Sequence, residues 1–531
     1  MLLIALALGL SGCRSGPQPD KIARAIRGQL EPERATTIGE DRLLEPLAVK
    51  RFYAGRGFNR VWSDMQADQI VQAVHDVERD GLTPSDYHLG AIEALRREQA
   101  KSRRASGAAD LDILLTDAVA GMVDHVRYGR VRPASLDPRW NVDPRDGTPP
   151  LEQEAAKIAL SGSVDQAIEA ERPQHFIYRG LMGALARLRA IAARGGWPTV
   201  PAGKPIKPGA IDARIPAVRE RLMETEELPA GAPSDPRQYD LELQQAVKLF
   251  KARHRLDPNG IIDQSVIDAM KVSAAARVDQ VRVNLERARW VLGGLSDDFV
   301  LVNLPAFKAY LIRGGKNVWE ARTQIGDEAK QTPTFRADMR TVVLNPDWTV
   351  PPMILAEEVL PGMRKSEDYL SRKGLVVLDS HNQQVDPGSI DWTHVTPETF
   401  PYTLRQPAGE DNALGRVKFL FPNEYSIYLH DTPSRTLFDS RKRTFSHGCI
   451  RLEKPIELAE ILLSDQHGWT REKIQEVLES GKTENVNLEH PLPVLIVYWT
   501  VSVGTSGEVR YTQDYYNLDS PVLAALNAPP R

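Results

Sequence analysis

"LHDTPSRTLFDSRKRTFSHGCIRLEKP", residues 429–455, holds one of only two cysteines in a chain of 531 residues, with histidines two and nineteen positions before it. A thiol with an unperturbed pKa of about 8.5 is mostly protonated at neutral pH, so a cysteine nucleophile needs a base within hydrogen-bond reach. His430 ends the strand-like run "YSIYLH", fifteen residues follow, and Ser446-His447-Gly448 then leads straight into Cys449. The intervening segment carries Pro433, Ser434 and Asp439, which suit a loop that returns one strand end to the other. A small residue beside a nucleophile lets substrate and backbone amides approach and form an oxyanion hole. The residues alone leave three roles open for Cys449: a nucleophile, a zinc ligand together with His430 and His447, or a small buried apolar side chain. No second cysteine or acidic residue is spaced to complete a zinc set. Arg441-Lys442-Arg443 reads as a solvated basic face, with attraction of an anionic substrate as the other reading.

Outward from this stretch the pattern is that of strands. "DFVLVNLPAFKAYLI", "RTVVLNPDWTV", "GLVVLD", "VKFLF" and "PVLIVYWTVSV" are rich in Val, Ile and Tyr, and several alternate apolar with polar residues. Residues 295–520 are therefore expected to form a mainly β domain, with the more polar stretch 353–400 as an insertion capping the sheet. Residues 205–275 read as a small three-helix module. Leu243, Ala246, Val247 and Phe250 make one helical face, Pro258-Asn259-Gly260 a turn, and Asp263 the cap of the next helix. A Gly- and Pro-rich boundary at 193–210 separates the module from residues 20–195, a helical scaffold in which Leu114, Ala118, Met122 and Val126 share a face. His75, His88 and His125 lie there without metal-ligand spacing and read as structural. The fold class is multidomain α+β, which fits a length beyond what one core covers. A net charge of −4, with 42% apolar and 26% charged residues, gives no broad cationic surface and argues against a nucleic-acid partner.

Residues 1–12, "MLLIALALGLSG", are too short for a membrane span and match a signal h-region in length, although Met1 runs directly into Leu2-Leu3 without a basic residue. "LSGC" resembles the lipobox of bacterial lipoproteins. The resemblance implies a signal at 1–13, with Cys13 lipidated and free to make no disulfide with Cys449. It implies a membrane anchor on the periplasmic side of the cell envelope, and Arg14 after the lipidated residue favours the outer membrane.

His430, fifteen residues, then Ser446-His447-Gly448-Cys449, Ile450 and Arg451 resembles the signature of the L,D-transpeptidase catalytic domain (YkuD fold). "NLERARW", "LNPDWTVPP" and "LRQPAGEDNALGRVKFLFPNEYSIYLHDTPSRTLF" resemble the large YcbB-like branch, and "LQQAVKLFKARHRLDPNGIID" resembles a peptidoglycan-binding domain in which Lys251 replaces the usual Gln. The resemblance implies that Cys449 is the nucleophile and His430 its base. It assigns His447, Gly448 and the Cys449 backbone to an oxyanion region supported by Ser446, and Arg451, with Tyr428 and Trp348, to substrate binding. Asp431 is adjacent to the base, and either its side chain or its backbone can orient the imidazole. The implied reaction forms 3→3 cross-links between tetrapeptide stems of peptidoglycan through a thioester, with release of D-alanine. It needs no metal or nucleotide, involves other cell-wall synthesis proteins as partners, and leaves the cysteine open to carbapenems. A carboxypeptidase, an enzyme attaching or hydrolysing lipoprotein links, and a non-catalytic wall-binding lipoprotein are the alternatives.

Overall fold

Helix Ala105–Tyr128 (α1) is buried on nearly every side rather than along the single predicted face, because Ile113, Leu115, Val119 and Val123 add a second apolar stripe to the first. It is the axis of the helical region in a computed structural model that describes residues 18–31, 36–138, 140–141, 143–231, 233–504 and 506–530. Cys13 and the apolar run before it lie outside these residues. Polar groups carried into the interior by α1 are paired, as buried groups must be. Asp112 accepts from the Val61 and Trp62 amides at 2.9 and 3.0 Å, and His88 Nε2 lies 2.7 Å from Asp117. His125 is hydrogen-bonded to the Tyr87 hydroxyl at 3.0 Å, so both histidines are held inside the scaffold.

Helix Phe176–Ala193 (α2) packs along Ala274–Leu292 (α6), which contains the "NLERARW" stretch and is buried without interruption from Val283 to Leu292. Glu286 and Arg289 pair inside α6. Arg289 also donates to the Asp80 carbonyl at 2.9 Å and the Tyr178 hydroxyl at 2.8 Å, and Glu286 accepts from the Val131 amide at 2.6 Å. These bonds offset the desolvation of the two charges. One apolar cluster then joins α2 and α6 to Val497 and Trp499 of the β domain.

Between them the chain forms three helices, Ile215–Glu224 (α3), Leu241–Arg253 (α4) and Gln264–Lys271 (α5), around Val218, Leu222, Leu243, Val247, Phe250, Val266 and Met270. Asp263 caps α5 through the Val266 amide. Lys251 is fully buried, with Nζ 2.8 Å from Asn259 Oδ1, 2.8 Å from the Ile261 carbonyl and 3.1 Å from Asp263. At this position the lysine ties the Asn259 turn to the helix.

Nine strands follow: β1 (Phe299–Asn303), β2 (Lys308–Arg313), β3 (Lys316–Gly326), β4 (Phe335–Leu344), β5 (Val417–Leu420), β6 (Leu429–His430), β7 (Thr444–Ser446), β8 (Ile450–Leu452) and β9 (Glu484–Val497). Their order is β7-β3-β8-β6-β5-β4-β9-β1-β2, and β2 also pairs with β3, so the sheet closes on itself. The β9 register shifts between Asn487 and Leu492, where Pro491 has no amide to give a ladder. Two helices not anticipated by the strand pattern, Pro455–Leu463 (α7) and Arg471–Ser480 (α8), cover the core with Leu458, Leu462, Ile474 and Leu478.

Two local expectations need correcting. Only Leu429 and His430 of "YSIYLH" are strand, because Asn423 Oδ1 accepts from the Tyr425 and Ile427 amides and bends the chain, leaving Ser426 at φ 54°. Arg443 is not part of a solvated face. It is buried, donating to the Thr323, Ser440 and Phe307 carbonyls at 3.0, 2.9 and 3.2 Å, and so fastens the 431–443 loop to the sheet.

The insertion is wider than residues 353–400. It starts at strand Trp348–Thr349 and ends at Thr403–Gln406, which pair with each other and form one sheet with Val376–Leu378 and Gln384–Val385. Val359, Leu360, Met363, Leu370, Val377 and Leu404 give it its own core.

Candidate active site

Strand pairing sets the site. β6 runs parallel to β8 with Leu429 opposite Ile450 and His430 opposite Arg451, while β5 places Lys418 opposite His430 and β3 places Gln324 opposite Arg451. Phe419, Leu429 and Ile450 are fully buried in the core. Because successive side chains alternate, Lys418, His430, Arg451 and Gln324 share the opposite face, joined by Tyr428 and Cys449 from just outside the strand ends.

Cys449 is half-buried, with Sγ 3.7 Å from the Ser426 carbonyl and hydrogen-bonded to the Tyr428 hydroxyl. Burial pushes its thiol up, against the pull of Tyr428, Lys418 and Arg451. His430 is 4% exposed, and its burial, aided by the Arg451 charge, holds it down at about 3. Its Nδ1 faces the Asp431 carbonyl, so the neutral ring carries the proton there and keeps a lone pair on Nε2. The resting pair is thus a neutral thiol and a neutral imidazole. Among the described residues Sγ has no direct hydrogen bond to His430, and proton transfer belongs to the encounter with substrate.

Lys418 Nζ stands 4.0 Å from the centre of the Tyr428 ring. Arg451 donates to Gln324 Oε1 at 3.3 Å, and among the described residues its guanidinium forms no ion pair. Glu358 acts on Arg451 at a distance, Nε is buried without a partner, and a guanidinium with donors left over beside a thiol can take an anionic group.

Residues 297–487 match the L,D-transpeptidase catalytic domain family, and residues 47–185 match a scaffold domain family. Residues 297–487 are thus similar to L,D-transpeptidase catalytic domains. A curated Haemophilus influenzae protein assigned as an L,D-transpeptidase is 38% identical over 229 residues, covering 43% of this chain and 46% of that protein. The chain therefore spans about half the length of this relative. The solved L,D-transpeptidase of Xylanimonas cellulosilytica is 13% identical, covering 56% of this chain and 99% of that one, at a TM-score of 0.17. A fused Zn-dependent amidase/peptidase/peptidoglycan-binding protein of Clostridium acetobutylicum is 11% identical, covering 56% and 100%, at a TM-score of 0.15. Neither likeness adds to the fold assignment at such scores.

In the matched domain the turn before Cys449 is held by its own side chains. Ser446 Oγ donates to the Cys449 carbonyl at 2.6 Å and accepts from the Gly448 amide at 3.1 Å. Thr332 Oγ1 donates to the Gly448 carbonyl at 2.7 Å. Gly448 has φ +119°, which L side chains rarely adopt, and an added Cβ would stand 3.2 Å from Ile427 Cδ1. His447 Nε2 lies 2.9 Å from Glu358 of the cap. Glu358 and Glu357 sit on a widened π-type turn, Leu355–Val359, and Glu357 pairs with Lys330. Trp348 hydrogen-bonds the Tyr428 hydroxyl, so the cap touches the site at a second point. Lys418, Gln324, Thr332 and Glu358 are the members the motif does not reveal. Only Lys418 leaves a trace in the sequence, as the polar residue between Val417 and Phe419 of an alternating strand.

Proposed function

We propose that the chain is a cysteine-dependent L,D-transpeptidase that joins peptidoglycan tetrapeptide stems by 3→3 cross-links. The observation that carries the reading is the single sheet face on which Cys449, His430 and an unpaired Arg451 meet. The His430 Nε2 lone pair takes the Sγ proton as sulfur attacks the carbonyl between residues three and four of the donor stem. The negative oxygen of the tetrahedral intermediate needs backbone donors. The Gly448 amide is committed to Ser446, so this task falls to the Cys449 amide and the neighbouring His447 amide. The C–N bond then breaks, D-alanine leaves with the proton from His430, and a thioester remains on Cys449. The side-chain amine of a second stem attacks the thioester, gives its proton to His430 and displaces the thiolate. Arg451 would hold a stem carboxylate, with Tyr428 and Trp348 forming the wall at the cap. A carbapenem would acylate the same sulfur by ring opening.

Lipidation at Cys13 would place the enzyme on the periplasmic side of the envelope, in the outer membrane, beside other wall-synthesis proteins. Metabolic labelling with a palmitate analogue, lost in Cys13→Ser, tests that placement. The catalytic reading is tested by incubating the chain and Cys449→Ala with disaccharide-tetrapeptide and weighing the products. Loss of D-alanine with a dimer supports cross-linking, tripeptide monomer alone supports hydrolysis, and an active Cys449→Ala rules out the mechanism.

A further inference from the structure

Away from Cys449, a cavity of about 70 Å³ opens where α2, the three-helix module, α6 and the C-terminal hairpin Val501–Val503/Val509–Tyr511 converge. Arg187, Arg221, His254, Arg277 and Tyr511 line it. Arg221 is 1% exposed, with its guanidinium 3.6 Å from the Trp197 ring centre and Nη1 donating to Thr225 Oγ1 at 2.7 Å. Arg277 is 7% exposed, 4.2 Å from the Tyr511 ring centre, with Nη1 donating to Gln280 at 2.6 Å. The Nε atom of each is buried without a partner. Neither guanidinium, nor that of Arg187 exposed at the mouth, forms an ion pair among the described residues. Of the carboxylates lining the cavity, Glu226 is exposed, and the others are paired: Glu224 with Arg194 at 2.9 Å, Glu227 with Arg253 at 2.7 Å and Glu508 with Arg510 at 2.8 Å.

His254 adds a complementary group. Its Nδ1–H donates to the Phe250 carbonyl at 2.9 Å, its ring stacks on Phe250 and Tyr511, and Nε2 is left buried with a lone pair and no partner. Burial holds Arg221 and Arg277 below their usual range, at about 10, and keeps His254 neutral. Glu227 and Glu224 act on Arg221 only at a distance, and buried guanidinium N–H groups and a buried imidazole acceptor left without hydrogen-bond partners cost free energy that one ligand can relieve.

We infer that this cavity is a binding site for a small oxyanion, carboxylate or phosphate, that carries a hydrogen-bond donor of its own. The guanidiniums of Arg187, Arg221 and Arg277 take the oxyanion, and His254 Nε2 accepts the donor. Hydrogenphosphate has its O–H, and a peptide's terminal carboxylate has the adjacent amide N–H. None of these side chains belongs to the site around Cys449, so the inference stands apart from the proposed reaction.

Calorimetric titration of the full chain with inorganic phosphate, N-acetylglycine and acetate tests this. Saturable binding of phosphate or of N-acetylglycine, with acetate weaker for want of a donor, is the expected result. Phosphate alone identifies a phosphate source, N-acetylglycine alone a carboxylate one, and both the shared chemistry. Arg187→Ala, at an exposed position that leaves the fold intact, should weaken binding by roughly tenfold, the loss of about one charged hydrogen bond, while Arg372→Ala on the cap should leave it unchanged. The proposal is overturned if none of the three binds saturably, if acetate binds as well as the others, or if Arg187→Ala and Arg221→Lys both bind as the parent does.

Discussion

His430 is oriented by the backbone of Asp431 and not by its carboxylate: Nδ1 faces the Asp431 carbonyl, while the Asp431 side chain accepts from the Arg416 and Thr432 amides at 2.8 and 2.7 Å. The carboxylate shapes the loop, and the base owes its tautomer to a peptide group that no side-chain substitution removes. Asp431→Asn should therefore lower stability by about 1–3 kcal/mol, the cost of a lost buried acceptor, yet leave kcat within about threefold, since the backbone carbonyl that faces His430 Nδ1 is kept. Chemical denaturation and steady-state rates read the two effects, and a drop in kcat of about a thousandfold would show that the carboxylate acts directly.

The thiol is pushed up by burial and held back by Tyr428, Lys418 and Arg451. Alkylation of Cys449 by iodoacetamide should accelerate with pH through a midpoint above that of an ordinary thiol, and Lys418→Met should move that midpoint further up. A midpoint near 7 in the parent chain would mean that a thiolate–imidazolium pair forms at rest.

Gly448 turns the chain at φ +119° with Ile427 behind it. Gly448→Ala should keep the thermal midpoint within a few degrees while reducing kcat by about a hundredfold or more, because it displaces the Cys449 amide from the developing oxyanion. Normal turnover would contradict the role given to that turn.

Glu358 holds His447 across the gap between cap and sheet. Glu358→Gln removes the charge and keeps the shape, so it should loosen the cap and raise KM more than it lowers kcat. Product analysis at varied substrate concentration distinguishes this from loss of chemistry, which would lower kcat alone.

His430 and His125 are held down to about 3 and about 4 by burial. An unfolded imidazole takes its proton near 6.5, and the folded ones only near those lower values, so protonation favours the unfolded chain throughout the window between. Stability is fully present above about pH 6.5 and falls as the pH drops toward 4, by up to about 1.4 kcal/mol per unit for each group. Urea midpoints between pH 7 and pH 4.5 should follow this slope, and His430→Gln should flatten it; an unchanged slope would place the acid sensitivity in other groups.

That Cys449, Gly448 and His430 come together at neighbouring strand ends was legible from their spacing, since strand pairing sets His430 opposite Arg451, two residues after Cys449. The helical module was legible from its apolar face and from the Asp263 cap. Other members were hidden for a physical reason: Gln324 lies 127 residues from Arg451 and Thr332 lies 116 from Gly448, and only strand register brings them together. Arg443 was misread because the four carbonyls that satisfy its buried guanidinium leave no mark in a sequence. The partners of Asp112 in α1, the Val61 and Trp62 amides, likewise leave no mark in the sequence.

β3 pairs with β2 along Lys316–Arg322 and with β8 and β7 along Thr323–Gly326. The strand that seams the sheet is thus also the one on which the nucleophile's turn rests. Contacts between such distant segments close late in folding. A chain short of that last seam would carry Cys449 as an ordinary thiol, without His430, Lys418 and Arg451 gathered beside it.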